Sequence, residues 1–477
     1  MSRRPGRIGA VTESSVQQVE RALARMDEVE GRIASVCTRN PAALAVARMR
    51  DGEASDGRSR GPLHGVPVLV KDNVDTADLP TTAGSLALAG LPNPSRDALL
   101  VRRLRDAGMV VLGKTNLSEW ANIRDEGSTS GWSAYGGLTR NPYALNRSAG
   151  GSSSGSGAAV AAGIASYAVG TETDGSISCP AAFNGCVGLK PTVGLVPTDG
   201  VVPVSRSQDS PGPLTATVRQ AAALLGVLAG DGTDYAAHAV DGRLAGKRIG
   251  VPRARYWGYS SHADTHAEHA VRLLAAEGAT VVDGTDLTTM EDFDWHDELL
   301  VMLAELRSGL ETYLATRPGD GPRTLADVVA FNREHADTEL RHFGQSLFEQ
   351  ALEGPGVDSE EYAAARARCL RHGRDGIDAV LREHALDALV TPSYGPAVPI
   401  DLVNPEAHTG SCTTPAAVAG YPLLTVPAGL AAGLPVAVSF WGTAGSEATL
   451  VEVAHGYEQA RDRDTGPLPA PTFEPFV

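Results

Sequence analysis

The chain of 477 residues is 42% hydrophobic and 21% charged, which is typical of a globular protein and excludes a fibrous or largely disordered one. Its formal net charge of −16 disfavours attraction to phosphate backbones or anionic lipid, so we expect neither nucleic acid nor membrane as a partner. No stretch approaches the ~20 apolar residues of a membrane span, and the basic start lacks the apolar run of a secretory signal. Five widely spaced cysteines argue against a disulfide framework and favour a cytoplasmic location.

Strand and helix patterns alternate along the first 283 residues. Apolar residues at helical spacing from Val16 to Met26 predict an N-terminal helix that Gly31 ends, and the apolar run 66–70 predicts a buried strand. The further predicted elements, in chain order, are helix 96–107, strand 109–112, helix 157–165, strand 167–171, helix 215–229, strand 247–251, helix 265–277 and strand 280–283. This alternation indicates an α/β domain.

Residues 285–385 interrupt the alternation with long amphipathic patterns, such as 297–315 and 359–384, which predict a helical insertion or cap. Strands are predicted again at 388–391, 423–426 and 435–440, before a last helix at 446–461. The sheet is therefore built from both ends of the chain, and we predict one domain over residues 1–477. Only 51–61 has the composition of a linker.

The glycine- and serine-rich run of residues 150–157 allows three interpretations. Its composition is that of a flexible linker, but it leads directly into an alanine-rich helix. A phosphate-binding loop is excluded because no Gly-Lys-Ser/Thr follows. Gly151-Ser-Ser153-Ser-Gly155 fits the nucleophile elbow, with Ser153 as nucleophile, but that motif needs a preceding strand and residues 141–148 contain no apolar run.

Two further segments carry residues suited to amide chemistry. In Thr171-Glu-Thr-Asp-Gly-Ser176, a turn of small residues precedes a serine, and its backbone amides can converge on one oxygen and stabilise an anion. Lys71 follows the predicted strand 66–70, where burial lowers the pKa of a lysine and leaves an amine that accepts a proton. An ordinary turn, and an ion pair of Lys71 with Asp72, are the alternatives.

Taken together, these segments resemble the amidase signature family. The matching text is Gly65-Val-Pro-x-x-x-Lys71-Asp-Asn73, the Gly-Gly-Ser-Ser run, the Asp-Gly-Ser-Ile segment, and further stretches at 113–119, 139–142 and 188–191. Ser152 and Ser176 are 24 residues apart, as in the family. The resemblance is dense over 62–215 and implies a central mixed, twisted β-sheet covered by helices on both faces, with a catalytic core at about 62–220.

The resemblance also implies roles for individual residues. Ser176 is the expected nucleophile, Ser152 relays its proton, neutral Lys71 accepts it, and the peptide bond before Ser152 is cis. The backbone amides of Thr173, Asp174, Gly175 and Ser176 form the expected oxyanion hole, and Glu126 and Ser128 are expected to bind substrate. We expect no cofactor and no metal, since the only histidine cluster, 262, 266 and 269, has polar neighbours typical of a solvated helix face.

Within the family, the chain looks most like bacterial peptide amidases, which release ammonia from C-terminal peptide amides. The stretches that suggest this are 118–122 with 130–133, 170–176, and 324–332 leading to 343–345. An amide-forming transferase using the same acyl-enzyme and an ammonia-supplying, glutamine-hydrolysing subunit remain as alternatives, and the chain is expected to be a monomer or homodimer. Asp174 replaces the glycine of most relatives, where it either caps a nearby amide or repels substrate carboxylates.

Overall fold

The computed structural model describes residues 13–407 and 409–477; the basic N-terminal start, on which the absence of a secretory signal was predicted, lies outside them. Eleven strands form one sheet: β1 Val36–Arg39, β2 Pro67–Lys71, β3 Val110–Thr115, β8 Tyr167–Glu172, β9 Val187–Lys190, β10 Ser210–Thr215, β11 Arg248–Val251, β12 Thr280–Asp283, β13 Ala388–Pro392, β14 Leu423–Ala431 and β15 Leu434–Trp441. Across the sheet they lie in the order β1-β3-β2-β8-β10-β9-β14-β15-β13-β11-β12. Two short ribbons pair β4 Trp132–Ser133 with β5 Gly137–Leu138 and β6 Arg140–Asn141 with β7 Ala144–Ser148.

The sheet is mixed, as expected. β2 pairs in parallel with β3 and β8, and β11 pairs in parallel with β12 and β13, while the central strands from β8 to β13 pair antiparallel. Strands from the N-terminal and C-terminal parts of the chain meet where β9 pairs with β14. The single large α/β fold predicted from the alternation is therefore confirmed.

Sixteen α-helices lie within the described residues. They are α1 Ser15–Ile33, α2 Ala43–Ser55, α3 Leu86–Ala89, α4 Leu99–Asp106, α5 Ser154–Ala161, α6 Ser178–Asn184, α7 Val218–Ala229, α8 Ser261–Ala276, α9 Trp295–Leu314, α10 Leu325–Glu334, α11 Ala336–Glu339, α12 Ser346–Glu353, α13 Glu360–Leu370, α14 Gly376–Glu383, α15 Thr414–Ala419 and α16 Glu447–Asp464. None of these helices is long and apolar enough to cross a membrane.

Helices cover both faces of the sheet, and strand β2 shows why. Its side chains alternate between the two faces, so Val68 and Val70 pack in one hydrophobic core and Leu69 in another. Helices α4, α7, α8 and α16 supply the first core, and α1, α2 and α5 supply the second. Lys71 ends this doubly buried strand and is itself fully buried.

Several boundaries differ from the prediction. Helix α1 passes Gly31 and ends at Ile33, because Ala34 takes the left-handed conformation with φ 49° and donates to the carbonyl of Glu30. Helix α2 extends through Ser55, so the predicted linker 51–61 is helical in its first half. The helix predicted over 359–384 contains a π-helical turn at Arg371–Asp375. The division into a catalytic core and a helical insertion stays a prediction.

Candidate active site

Lys71 is held at the end of β2 by hydrogen bonds from its ammonium or amine group. Its Nζ lies 2.8 Å from Ser152 Oγ and 2.9 Å from Thr171 Oγ1, with the Thr171 carbonyl at 3.3 Å. Asn73 fixes the same threonine hydroxyl by donating to it at 3.0 Å. The apolar strand β2 therefore positions Lys71 next to Ser152, the serine that the family pattern indicates as the proton relay.

The alternative that Lys71 pairs with Asp72 is wrong. Asp72 instead forms a buried ion pair with Lys114 at 3.4 Å, and no described carboxylate lies within ion-pair distance of Lys71. Burial lowers the pKa of Lys71 to about 7, against the opposing charges of Asp209 and Glu172. A substantial fraction of this lysine is therefore a neutral amine near pH 7.

The two serines after Gly151 have different environments. The peptide bond before Ser152 is cis, as the resemblance implies. The Ser153 hydroxyl donates to the Thr171 carbonyl at 3.0 Å and accepts from the Thr171 amide at 3.1 Å, and it is fully buried. Because the Ser153 hydroxyl is buried and already both donates and accepts a hydrogen bond, it is poorly placed to act as a nucleophile. This disfavours the nucleophile-elbow interpretation.

The turn at residues 173–176 presents unused backbone donors. Among the described residues, no acceptor receives the N–H groups of Thr173, Asp174, Gly175 or Ser176. The next two amides are different: Ile177 and Ser178 both donate to Glu172 Oε2 at 2.8 Å. Glu172 thus fixes the start of α6 and leaves the preceding four donors free.

Gly175 is required by both conformation and space. Its φ is +80°, and an added Cβ would lie 2.2 Å from the Tyr394 hydroxyl. Ser176 follows, and its carbonyl accepts from the Ser153 amide at 3.1 Å. This backbone bond joins the segment carrying Ser152 to the turn carrying Ser176.

A cavity of about 320 Å³ opens on this turn. Residues 173–176 and Gly151 form its polar floor, and the remaining wall includes Ile123, Phe183, Val204, Met302, Tyr394 and Val398. Asp174 and Glu406 are the charged side chains of the described lining. The apolar wall of the cavity therefore lies beside the four free N–H donors of the turn.

Glu126 and Ser128 do not line this cavity. The turn at 125–128 closes on itself, since the Ser128 amide donates to the Asp125 carbonyl at 3.2 Å, and Glu126 accepts from Gln350 at 3.1 Å. The wall is instead formed by residues 121–123 and Ser130, on either side of that turn. Contacts of Glu126 and Ser128 with a substrate therefore stay a prediction.

Asp174 does not cap a backbone amide within the described residues. Its Oδ2 accepts from the Thr414 hydroxyl at 2.8 Å, and Thr413 and Glu298 are close enough to influence its pKa. Sequence reasoning missed Glu298, Thr171 and Asp209, which accepts from the Thr173 hydroxyl at 2.6 Å. Glu298 and Asp209 reach the turn only through tertiary packing. Thr171 and its neighbour Glu172 lie in the segment 171–176, which the sequence had already indicated.

No group of three or more potential metal ligands occurs among the described residues. Cys179 lines the cavity and Cys186 is buried, and burial raises the pKa of both thiols, that of Cys186 to about 12. The thiols are therefore protonated at neutral pH and are poor nucleophiles and ligands.

A buried lysine with a lowered pKa in contact with a serine, beside a turn of free N–H groups, is suited to attack on a carbonyl group by a serine. The amidase family profile matches residues 17–451, and the chain belongs to the amidase family.

Three relatives illustrate the likeness. The structure of native peptide amidase from Stenotrophomonas maltophilia is 47% identical with a TM-score of 0.90, covering 96% of this chain and 95% of that one. A probable amidase of Arabidopsis thaliana is 38% identical over 94% of this chain and 87% of its own length. A glutamyl-tRNA(Gln) amidotransferase subunit of Chloroflexus aggregans is 35% identical over 95% of this chain and 94% of its own.

Proposed function

We propose that this amidase hydrolyses a carboxamide, the C-terminal amide of a short peptide or a related small amide, through an acyl-enzyme on Ser176. The observation that carries the proposal is Lys71, which is buried, forms no ion pair among the described residues and lies 2.8 Å from Ser152 Oγ with a pKa near 7. A neutral amine in this position is a general base at physiological pH.

The proposed reaction begins when Ser176 Oγ attacks the amide carbonyl carbon. Its proton passes to Ser152, whose own proton passes to Lys71 Nζ, and a tetrahedral anion forms. When the C–N bond breaks, Lys71 returns a proton through Ser152 to the leaving nitrogen, so ammonia departs neutral. Water then attacks the ester by the same relay and releases the carboxylic acid.

The free amides of Thr173, Asp174, Gly175 and Ser176 are the proposed oxyanion hole. They lack other acceptors among the described residues, so they need no reorganisation to meet the anion. Removing a single such donor costs ~100-fold or more in kcat in enzymes of comparable chemistry.

The preference for an uncharged amide rests on the cavity. Its charged lining in the described residues consists of two carboxylates, Asp174 and Glu406, and these repel a free carboxylate more than a neutral carboxamide. The wall beside the turn is apolar and suits a hydrophobic side chain of a peptide. The peptide amidase from Stenotrophomonas maltophilia, 47% identical, supports this substrate class. Roles for Glu126 and Ser128 rest on the family pattern alone.

The test measures ammonia and product mass with peptide amides, the matching peptide acids, aryl amides and glutamine. We expect turnover of the peptide amides and a loss of at least ~1,000-fold in Ser176→Ala and Lys71→Ala. Ser153→Ala is the control variant, because Ser153 is the nucleophile in the alternative interpretation. Activity of Ser176→Ala at the wild-type level would refute the assignment.

The 35% identity to an amidotransferase subunit supports a second candidate, in which glutamine supplies ammonia or an amine accepts the acyl group. Preference for glutamine over peptide amides, or formation of a hydroxamate at the expense of acid when hydroxylamine is added, would favour it.

All five cysteines are unpaired, which supports a cytoplasmic location. Sedimentation distinguishes the expected monomer from the homodimer.

A further inference from the structure

A pair of carboxyl groups, one half-buried and one buried, adjoins the proposed oxyanion turn. Asp174 belongs to the turn, and Glu298 lies in the first turns of α9, within the region predicted as a helical insertion. Each side chain is close enough to the other to shift its pKa through charge and hydrogen bonding, and Glu298 is only 5% exposed. Two carboxylates cannot share a hydrogen bond unless one of them carries a proton.

Other contacts fix the ends of the pair. Gln208 donates to Glu298 Oε1 at 2.8 Å, and Thr414 at the start of α15 donates to Asp174 Oδ2 at 2.8 Å. Asp174 Oδ1 is buried and accepts no hydrogen bond of ordinary geometry from the described groups, although the Thr413 hydroxyl is close enough to lower the pKa of Asp174. A proton on Glu298 supplies the donor that this oxygen lacks.

We infer that Glu298 is a positioning residue of the oxyanion turn: its protonated carboxyl group donates to Asp174, and the pair holds one proton. This inference rests on the proposed function, because it concerns the same turn. The bond clamps the side chain of Asp174 between α9 and α15 and so fixes the peptide planes around Gly175. It also limits the pair to one negative charge beside the developing oxyanion.

Burial favours the protonated state of the pair. It raises the pKa of Asp174, and together with the charge of Asp174 it raises the pKa of Glu298 well above its usual range. The proton therefore stays on Glu298 above the pH at which an ordinary carboxyl group ionises, and it leaves only at a higher pH. Among the described residues, the other titratable side chains that act on the pair are Glu172, Lys190, Tyr256, Cys369 and Tyr394.

Loss of the shared proton has two consequences for catalysis. The two carboxylates repel each other and displace the turn, and the added charge opposes the anion of the tetrahedral intermediate. We therefore expect kcat to fall on the alkaline side of the pH profile. Burial lowers the pKa of Lys190 to about 8, so the ionisation of this lysine must be distinguished from that of the pair.

The variant Glu298→Gln distinguishes the ionisation of the carboxyl pair from that of Lys190. Its amide donates to Asp174 at every pH and leaves Lys190 in place, so kcat at neutral pH stays within about threefold of wild type and the alkaline decline disappears. Glu298→Ala removes the donor, and we expect kcat to fall ~10- to 100-fold with KM nearly unchanged. Asp297→Asn, at the adjacent position and ion-paired to Arg368, is the matched control and keeps the wild-type profile.

Infrared spectra test the proton without any substrate. Buried Glu119 also has a raised pKa, so the measurement is a difference spectrum: we expect wild type minus Glu298→Gln to show, at neutral pH, the carbonyl band of the protonated Glu298. Loss of the band in Asp297→Asn as well, its absence from wild type, or an unchanged alkaline decline in Glu298→Gln would overturn the inference. If the wild type hydrolyses no carboxamide, the proposed function fails, and the infrared result still decides whether the pair holds a proton.

Discussion

The pH dependence of kcat/KM below neutrality reports the state of Lys71. With a pKa of about 7, roughly half of this lysine is neutral at pH 7, whereas with the ordinary value of 10.5 about one molecule in 3,000 would be neutral. Burial therefore raises the active fraction at pH 7 by roughly 1,500-fold. We predict that kcat/KM rises about tenfold per pH unit up to about pH 7 and then levels.

Asp209→Asn perturbs this profile in a defined direction. The charge of Asp209 favours the ammonium form of Lys71, so its removal lowers the pKa of the lysine, and we expect the midpoint to move down by about half to one unit. The asparagine keeps an oxygen for the Thr173 hydroxyl. Initial rates at low concentration of a peptide amide give the profile from pH 5 to 9, with the exposed ion-paired Asp199→Asn as control.

Two outcomes would refute this reasoning. A wild-type midpoint near pH 10 would show that Lys71 is not the desolvated base that its burial implies. A midpoint that moves upward in Asp209→Asn, or moves equally in Asp199→Asn, would show that the observed ionisation belongs to another group.

The same contacts lead to three further predictions. Lys71→Met abolishes activity yet stabilises the fold below pH 7, by up to ~5 kcal/mol from the difference between a pKa of about 7 and the ordinary 10.5. The unfolded lysine keeps its proton up to about pH 10.5, so this advantage shrinks between pH 7 and 10.5. Denaturant titrations measure it, and an advantage that does not shrink with pH would contradict the account. Gly175→Ala lowers kcat ~100-fold or more because its Cβ meets Tyr394, whereas Gly194→Ala, which has φ +88° and open space, keeps the wild-type kcat; equal losses would exclude the clash. Ser153→Ala lowers the free energy of unfolding by roughly 1–3 kcal/mol and keeps most of kcat, which a loss of turnover without loss of stability would contradict.

The sequence predicted the fold well wherever an element had a regular apolar pattern. Strands at 66–70, 167–171 and 280–283 appear within one residue of their predicted bounds. Strand β10 was missed because Pro211 and Pro213 lie within it, although it is buried between β8 and β9. Proline lacks a backbone donor and normally argues against a central strand, so local chemistry pointed away from the observed pairing.

The site was predictable to the extent that its residues lie in short motifs. Lys71 and Ser152 are in hydrogen-bonding contact as the family pattern requires, and the turn before Ser176 carries free amides. Asp209 and Glu298 could not be found in this way, because each reaches the turn from a distant segment through packing of the helices on the sheet. A lone acid in a loop or an amphipathic helix gives no sign that it is buried.

The most direct test of the central claim is the position of the acyl group during turnover. A reaction with a peptide amide is stopped by rapid acid quench, and the digested protein is analysed by mass spectrometry. We predict an added acyl mass on the peptide that carries Ser176, and neither adduct nor turnover in Ser176→Ala. An adduct on Ser153 or Cys179, or continued ammonia release by Ser176→Ala, would contradict the account.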